Sequence, residues 1–163
     1  MIILGIDPGI AIVGYGVINV EKGNYTVIDY GVITTPKEES TPVRLAIIEE
    51  SLIKLIEKFK PDNIALEELF FATNAKTAIT VAEARGVLLL TAVKYCGKLY
   101  EYTPLQIKQA ITGYGKADKN QVQQMVKMML KLKSVPKPDD AADALAVAIT
   151  HGQTNKMNGF FRI

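Results

Sequence analysis

Four carboxylates stand in segments of this chain that are otherwise apolar, where a folding chain builds its core. Asp7 and Glu67 fall in hydrophobic runs typical of buried strands, and Asp140 and Asp143 begin an alanine-rich helical run. A carboxylate withdrawn from water must be paired, hydrogen-bonded or bound to a metal, or it becomes neutral through a raised pKa. Since those runs contain no Arg or Lys, a shared divalent cation is the simplest compensation, and it indicates phosphodiester chemistry.

The order of the predicted elements indicates an α/β fold. Apolar and β-branched runs, with Lys22-Gly23 as a hairpin turn, predict strands over residues 2–6, 14–20, 25–35, 63–69 and 98–103. Helical spacing, with proline and glycine at the boundaries, predicts helices over residues 41–59, 75–96, 104–112, 118–132 and 140–151. Since helices separate the later strands, we expect a five-stranded mixed sheet flanked by helices.

Size and composition predict one domain over residues 1–153, followed by a flexible tail over residues 154–163. The chain has 163 residues, 48% of them hydrophobic, and no Gly/Ser-rich linker divides it. It begins without a basic segment, and no uncharged apolar run approaches the roughly 18 residues of a spanning helix, so we expect neither secretion nor membrane insertion. The single cysteine, Cys96, is expected to be a buried, unreactive thiol in a reducing cytoplasm.

Positive charge is concentrated in one part of the sequence. The net charge is only +2, but nine lysines lie between Lys94 and Lys137 against two acids, Glu101 and Asp118, which gives this segment +7. Such a segment favours a polyanionic partner. The alternative is a set of lysines that solvate helix surfaces.

The spacing of the acids is compatible with one shared site. Asp140 and Asp143 are three residues apart and therefore project from one face of a helix. Some of these acids also have a structural interpretation. An acid in the first helical turn could stabilise the helix dipole, Asp139 or Asp140 could cap the helix, and Asp7 could stabilise a turn before Pro8. Glu67 and Glu68 point to opposite sides of a strand, and the pattern does not choose between them.

The inventory of side chains indicates a hard metal. His151 is the only histidine, so a zinc site built from His and Cys is excluded, and carboxylates favour Mg²⁺ or Mn²⁺. Two such ions in one site could activate a water and stabilise the departing oxygen in a displacement at phosphorus. His151 itself is expected to interact with the C-terminal dipole of the last helix, with a phosphate contact as the alternative.

Five short motifs together resemble the RuvC family of crossover junction endodeoxyribonucleases, over residues 1–151. They are Ile3-Leu-Gly-Ile-Asp-Pro-Gly9, Gly14-Tyr-Gly-Val17, Ala65-Leu-Glu-Glu-Leu-Phe-Phe71, Ala84-Arg-Gly86 and Asp140-Ala-Ala-Asp-Ala-Leu-Ala146. The resemblance implies an RNase H-like fold, a homodimer, and Mg²⁺-dependent symmetric nicking of Holliday junctions in recombination and repair. Branch-migration helicase machinery is a candidate for a further partner.

The resemblance assigns roles to individual residues. It implies that Asp7, Glu67 rather than Glu68, Asp140 and Asp143 are the catalytic and metal-binding acids. It further implies DNA contacts by three residues, Phe70, Lys108 and Lys119. For Phe70 the alternative is ordinary core packing, and a stacked, unpaired base is the functional interpretation.

Hydrophobicity leaves two interpretations of the helix over residues 75–96. Apolar residues surround most of it, so it is buried on more than one side, either in the core or against another subunit. The family resemblance implies the second, a dimer interface. Two other function classes stay open, a catalytically silent junction-binding or scaffolding protein and an actin-like ATPase, which would need a second lobe.

Overall fold

The computed structural model describes residues 1–69, 75–154 and 163, and its ten elements follow the predicted order. The strands are β1 (Ile2–Asp7), β2 (Ile12–Glu21), β3 (Asn24–Thr34), β4 (Asn63–Glu67) and β5 (Leu99–Tyr102). The helices are α1 (Thr41–Phe59), α2 (Ala75–Tyr95), α3 (Pro104–Thr112), α4 (Lys119–Met129) and α5 (Asp139–Thr154). None of the helices in this part of the chain is both long and apolar enough to cross a membrane.

The five strands form one mixed sheet in the order β3-β2-β1-β4-β5. The first three strands are antiparallel neighbours, while β4 is parallel to β1 and β5 is parallel to β4. The hairpin between β2 and β3 turns at Lys22 and Gly23, with φ of 50° and 81°. Two central residues with positive φ are typical of a tight two-residue turn. The predicted mixed sheet is confirmed.

Helices cover both faces of the sheet. Leu4, Ile6 and Ile64 pack with buried residues of α1 and α2 on one face. Ile3 and Ala65 face the other way and pack with α3, α4 and α5. The alternation of side chains along β1 and β4 thus divides the core into two apolar layers. It also determines which of the two layers each residue of these strands faces.

Glycines of the sheet allow α5 to lie directly against β1 and β2. An added Cβ at Gly5 would overlap the carbonyl oxygen of Ala144, and one at Gly14 would overlap that of Asp140. At the other end of the helix, an added Cβ at Gly152 would lie 3.6 Å from the side chain of Ile3. Helix α5 therefore runs opposite to β1, and its first turn lies beside the end of β1 that carries Asp7.

The structure corrects the role expected for His151. Its side chain is fully buried, with the Asn63 amide nitrogen 2.9 Å from Nε2 and the Tyr102 hydroxyl oxygen 2.7 Å from Nδ1. Because the amide nitrogen can only donate, Nε2 accepts, and Nδ1 donates to Tyr102. Burial lowers the pKa of His151 to about 4. The residue is a neutral core imidazole, so both the dipole and the phosphate interpretations are wrong.

Two smaller expectations also differ from the structure. Cys96 is partly buried rather than fully buried, and its Sγ lies 3.4 Å from the carbonyl oxygen of Pro61. Helix α5 continues to Thr154, three residues beyond its predicted end at His151. At the end of the chain, the backbone N–H of Ile163 donates to the carbonyl oxygen of Leu99 at 3.1 Å, on the β5 edge of the sheet.

Candidate active site

A cavity of about 340 Å³ opens where β1 and β4 end, and three of the four predicted acids line it. Asp7, Glu67 and Asp143 share this cavity with two lysines, Lys108 and Lys119. Apolar residues of α3, α4 and α5 form the rest of its lining. Carboxylates and ammonium groups thus converge in a cleft with apolar walls.

Strand register brings Asp7 and Glu67 together. The two strands are parallel, and Gly5 of β1 pairs with Ala65 of β4. Two residues further along, Asp7 and Glu67 end their strands on the same face, toward α5. Glu68 follows the end of β4 and is absent from the cavity lining. The geometry therefore favours Glu67 over Glu68, a choice that the sequence pattern left open.

The other two acids come from the start of α5. Asp143 lies one turn into the helix and lines the cavity. Asp140 lies outside the lining, but it is close enough for its charge to raise the pKa of Asp7 and of Asp143. The close packing of α5 on Gly14 is what places this turn next to Asp7.

Burial and mutual repulsion make these carboxylates hard to ionise. Burial, followed by the charges of Glu67, Asp143 and Asp140, raises the pKa of Asp7 to about 8. Burial and the charge of Asp143 raise the pKa of Glu67 to about 7. The pKa of Asp143 is raised chiefly by burial. A group of acids that resist ionisation near neutral pH lacks positive charge, which a bound cation would supply.

Lys119 supplies part of that charge in this structure. Its Nζ lies 2.9 Å from Oδ2 of Asp143 and 3.6 Å from Oδ2 of Asp139. Partial burial opposes its protonation, but the contact with Asp143 outweighs this and raises the pKa of Lys119. The position of Lys119 is well defined because it begins α4, where Asp118 and Gln121 form a reciprocal capping box. Lys119 is therefore a built-in counterion of the acids.

The donor set fits a hard divalent metal. Among the described residues, no three His, Cys, Asp or Glu side chains are close enough to hold an ion as they are placed here. The chemistry of the donors is nevertheless clear, because the acids offer only oxygen, and the pKa of Asp7 stays raised although the charge of Lys119 lowers it. Oxygen donors select Mg²⁺ or Mn²⁺ over zinc. Asp7, Glu67, Asp143 and, from outside the lining, Asp140 are the residues that could hold such ions.

The three predicted DNA contacts have different outcomes. Lys108 lies on α3 and lines the cavity, and its charge lowers the pKa of Glu67. Lys119 also lines the cavity but is engaged by Asp143. Phe70 lies outside the described residues. The structure thus brings two of these residues to the acids, and their contact with DNA stays a prediction.

Two ion pairs, one of them at the site, were not predicted from the sequence. Arg85 of α2 donates from Nε and Nη2 to Oε1 of Glu101 on β5, and this largely buried pair fixes the helix against the sheet beside β4. The pair between Lys119 and Asp143 joins residues 24 positions apart in the sequence. Because neither pairing follows a helical or strand period, no local signal could have found it.

Comparison with known proteins decides the family. The family model of the crossover junction endodeoxyribonuclease RuvC matches residues 3–151. The chain belongs to the RuvC family. The crossover junction endodeoxyribonuclease RuvC of Alkaliphilus oremlandii is 56% identical over 163 residues, which cover 100% of this chain and 99% of the relative. The family resemblance inferred from the five motifs is confirmed.

Solved RuvC structures share the fold over the full length. The structure of Thermus thermophilus RuvC is 36% identical and superposes with a TM-score of 0.92, covering 100% of both chains. T. thermophilus RuvC has also been solved in complex with a Holliday junction substrate, and that chain is 33% identical with a TM-score of 0.91, again over 100% of both chains. The predicted RNase H-like α/β fold is confirmed for this RuvC family member.

Proposed function

We propose that this chain is a structure-specific endodeoxyribonuclease that resolves Holliday junctions by nicking two opposed strands symmetrically, with a divalent metal. One observation carries the proposal: the acids of β1, β4 and α5 converge with two lysines in one cavity of a RuvC family member. The RuvC structure that superposes with a TM-score of 0.91 is in complex with a Holliday junction substrate, which supports a four-way junction as the partner here. Nucleases of this family are metal-dependent.

In this proposal the acids are metal ligands and the lysines bind phosphate. Asp7, Glu67, Asp140 and Asp143 would hold Mg²⁺, with Mn²⁺ as a substitute, and two ions per site suit so many carboxylates. When bound, the ions supply a nucleophile from water and charge for the departing oxygen. Lys108 and Lys119 attract the scissile phosphate, and the apolar walls from α3 and α4 limit water around it.

The proposal is tested with a synthetic four-way junction and a linear duplex of matching sequence, each with and without Mg²⁺. We expect paired symmetric nicks in the junction only, and only with the metal. Binding of the junction without cleavage under any metal would instead support the catalytically silent junction-binding protein. Equal cleavage of duplex and junction would contradict structure specificity.

A homodimer is the second part of the proposal, and the exposed face of α2 supports it. Ile79, Leu90 and Val93 are 61%, 53% and 55% exposed. With Ala82 and Gly86 they recur at intervals of three and four residues, so they form one stripe along the helix. An added Cβ at Gly86 would meet no atom of the described chain within 4 Å. A two-fold pair of such helices can approach closely and would give two identical sites for two strands.

A charge placed in this stripe should prevent dimerisation. Leu90→Glu should convert the dimer into a monomer, because an unpaired carboxylate would be buried between the two helices. Analytical ultracentrifugation should then give one chain mass for the variant and two for the wild type. Met128→Glu is the matched control, since Met128 is 68% exposed but lies on α4, away from the stripe. A wild-type protein that sediments as a monomer would contradict this interface.

A further inference from the structure

The loop between α3 and α4 is held rigidly although it lies at the surface. Helix α3 ends at Gly113 with φ of 74°, and the backbone N–H of Gly113 donates to the carbonyl oxygen of Gln109 at 2.9 Å. The Gln109 side chain in turn donates to the carbonyl oxygen of Gly113 at 2.9 Å. Tyr114 is bound on both sides: its N–H donates to Thr112 Oγ1 at 3.1 Å, and its carbonyl accepts from the N–H of Ala117 at 3.1 Å.

This rigid loop presents an aromatic ring to solvent. Tyr114 is 58% exposed, and its backbone N–H and carbonyl are both hydrogen-bonded. Gly115 packs so closely on α3 that an added Cβ would overlap the side chain of Leu105. The hydrogen bonds at Gly113, Tyr114 and Ala117 hold the loop with the ring outside. An aromatic side chain held in place outside the core is pre-organised for a ligand, because little freedom remains to be lost on binding.

The ring borders a groove that offers free amide groups. The groove has a volume of about 370 Å³, and Tyr114, Asn120, Gln124 and Met125 are among its lining residues. Asn120 and Gln124 are exposed, and their side chains make no hydrogen bond within the described residues. Gln121 also lines the groove, but its amide oxygen already accepts from the N–H of Asp118 in the capping box.

The groove adjoins the cavity that holds the acids. Lys119 lines the cavity, and the next residue, Asn120, lines the groove. On the facing helix, Lys108 lines the cavity and Thr112, one turn later, lines the groove. A molecule bound to the cavity can therefore extend into the groove over the tips of α3 and α4.

Charge around the groove favours a nucleic acid as the occupant. Lys108 and Lys119 line the adjoining cavity, and Lys116 lies in the loop two residues after Tyr114. Asp118 is the one acid between residues 108 and 119. The carboxylate of Asp118 is engaged, since it accepts from the N–H of Gln121 at 2.8 Å. Lysines draw in the phosphate backbone, an exposed ring stacks on a base, and an amide side chain pairs with a base edge.

We infer that this groove is a second DNA-contact site, in which Tyr114 stacks on an unpaired base of the junction while Asn120 and Gln124 hydrogen-bond to its edge. The inference rests on the proposed function, because it places the base on the strand whose phosphate enters the cavity. Amide side chains that offer a donor and an acceptor suit adenine best. The site would therefore add base preference to a cavity whose own lining reads only phosphate and metal.

The test compares Tyr114→Ala with Tyr114→Phe for binding of a synthetic four-way junction without divalent metal. Tyr114→Ala should weaken binding about tenfold, the size expected for one lost stacking contact. Tyr114→Phe should bind like the wild type. The salt dependence of binding should stay unchanged in Tyr114→Ala and become shallower, by about 0.7–0.9 in the logarithmic slope, in Lys116→Gln. Circular dichroism of Tyr114→Ala should show an unchanged unfolding midpoint, since the ring is exposed.

A fluorescent base analogue locates the contact. With 2-aminopurine placed in turn at each position around the exchange point, one position should be quenched by the wild type and by Tyr114→Phe, and not by Tyr114→Ala. The double change Asn120→Ala with Gln124→Ala should remove the dependence of affinity on the base at that position. Equal affinities of Tyr114→Ala and the wild type for the junction would overturn the inference. A weaker salt dependence of binding in Tyr114→Ala than in the wild type would also overturn it. A wild-type protein that does not distinguish junction from duplex would instead contradict the proposed function.

Discussion

Asp7→Asn should slow junction cleavage severely while the protein stays folded. Asp7 ends β1 at the centre of the acids, where burial and three neighbouring carboxylates act on it. An amide offers the metal a weaker, neutral ligand, and a metal ion contributes several kcal/mol of transition-state stabilisation. A loss of about 4 kcal/mol corresponds to a rate lower by about 10³-fold. Single-turnover cleavage of a synthetic junction with Mg²⁺ measures it.

The same substitution should not weaken the fold, and the raised pKa of Asp7 gives the direction of its effect on stability. Asp7 has a pKa of about 8 in the folded, metal-free protein, against an ordinary value of 3.8. An acid whose pKa is raised on folding stabilises the fold fully only below the ordinary value, and this contribution is lost as the pH rises through the folded value. In the presence of a metal chelator, the free energy of unfolding of the wild type should therefore fall relative to that of Asp7→Asn as the pH rises from 4 to 8. Urea unfolding at several pH values tests this.

A pair of neighbouring glutamates provides the matched control. Glu67→Gln should lose cleavage in the same way as Asp7→Asn, because Glu67 lies in the cavity. Glu68→Gln changes the same chemical group one residue later, outside the cavity lining, and should retain it. Full nicking by Asp7→Asn, with normal junction binding, would contradict the assignment of the acids. Equal losses in the two glutamate variants would contradict the register argument.

Proline and glycine residues near the ends of the elements explain how much of the fold could be predicted. The bounds of α1 and α3 match the prediction because Pro42 and Pro104 mark their starts, and Pro61 and Gly113 follow their ends. The hairpin at Lys22-Gly23 is also a local signal. The end of α5 was placed too early, because no proline or glycine pattern marks Thr154 as the last helical residue.

The candidate site depends on contacts that local patterns do not encode. The choice between Glu67 and Glu68 needs the register of β4 against β1, which only the assembled sheet defines. Lys119 meets Asp143 only after α4 and α5 pack together. His151 looked like a surface residue at a helix end, yet the last turn of α5 lies over β4 and β5, where Asn63 and Tyr102 enclose it. Each of these contacts depends on tertiary packing, so helical or strand periodicity in the sequence could not predict it.

Gly14 is not itself a metal ligand, but its close contact with α5 places the turn that carries Asp140 and Asp143. Gly14→Val should both destabilise the protein and reduce cleavage. An added Cβ at Gly14 would overlap the backbone of Asp140, and a backbone atom cannot rotate away as a side chain can. Overpacking of this kind typically costs about 1–3 kcal/mol, and more when the backbone must shift. Helix α5 would be pushed off β2 at the turn that carries two of the acids.

Cleavage should fall even under conditions in which the variant remains folded. A displacement of about 1 Å in a catalytic group can lower a rate about 10²-fold. Junction cleavage by Gly14→Val should therefore fall about 10²-fold at a urea concentration where the variant is still folded. Urea unfolding and single-turnover cleavage, measured on the same preparation, separate the two effects.

Gly31→Ala is the matched control for this strand glycine. The three atoms nearest to its added Cβ all belong to the side chain of Tyr15, with the hydroxyl oxygen 2.9 Å away, and that flexible tip can move. We expect Gly31→Ala to keep cleavage and nearly all stability. If Gly14→Val were as active as Gly31→Ala, the close contact of α5 with β2 would not be what positions Asp140 and Asp143. A loss confined to Gly14→Val would instead show that a glycine without any chemistry of its own sets the geometry of the acids.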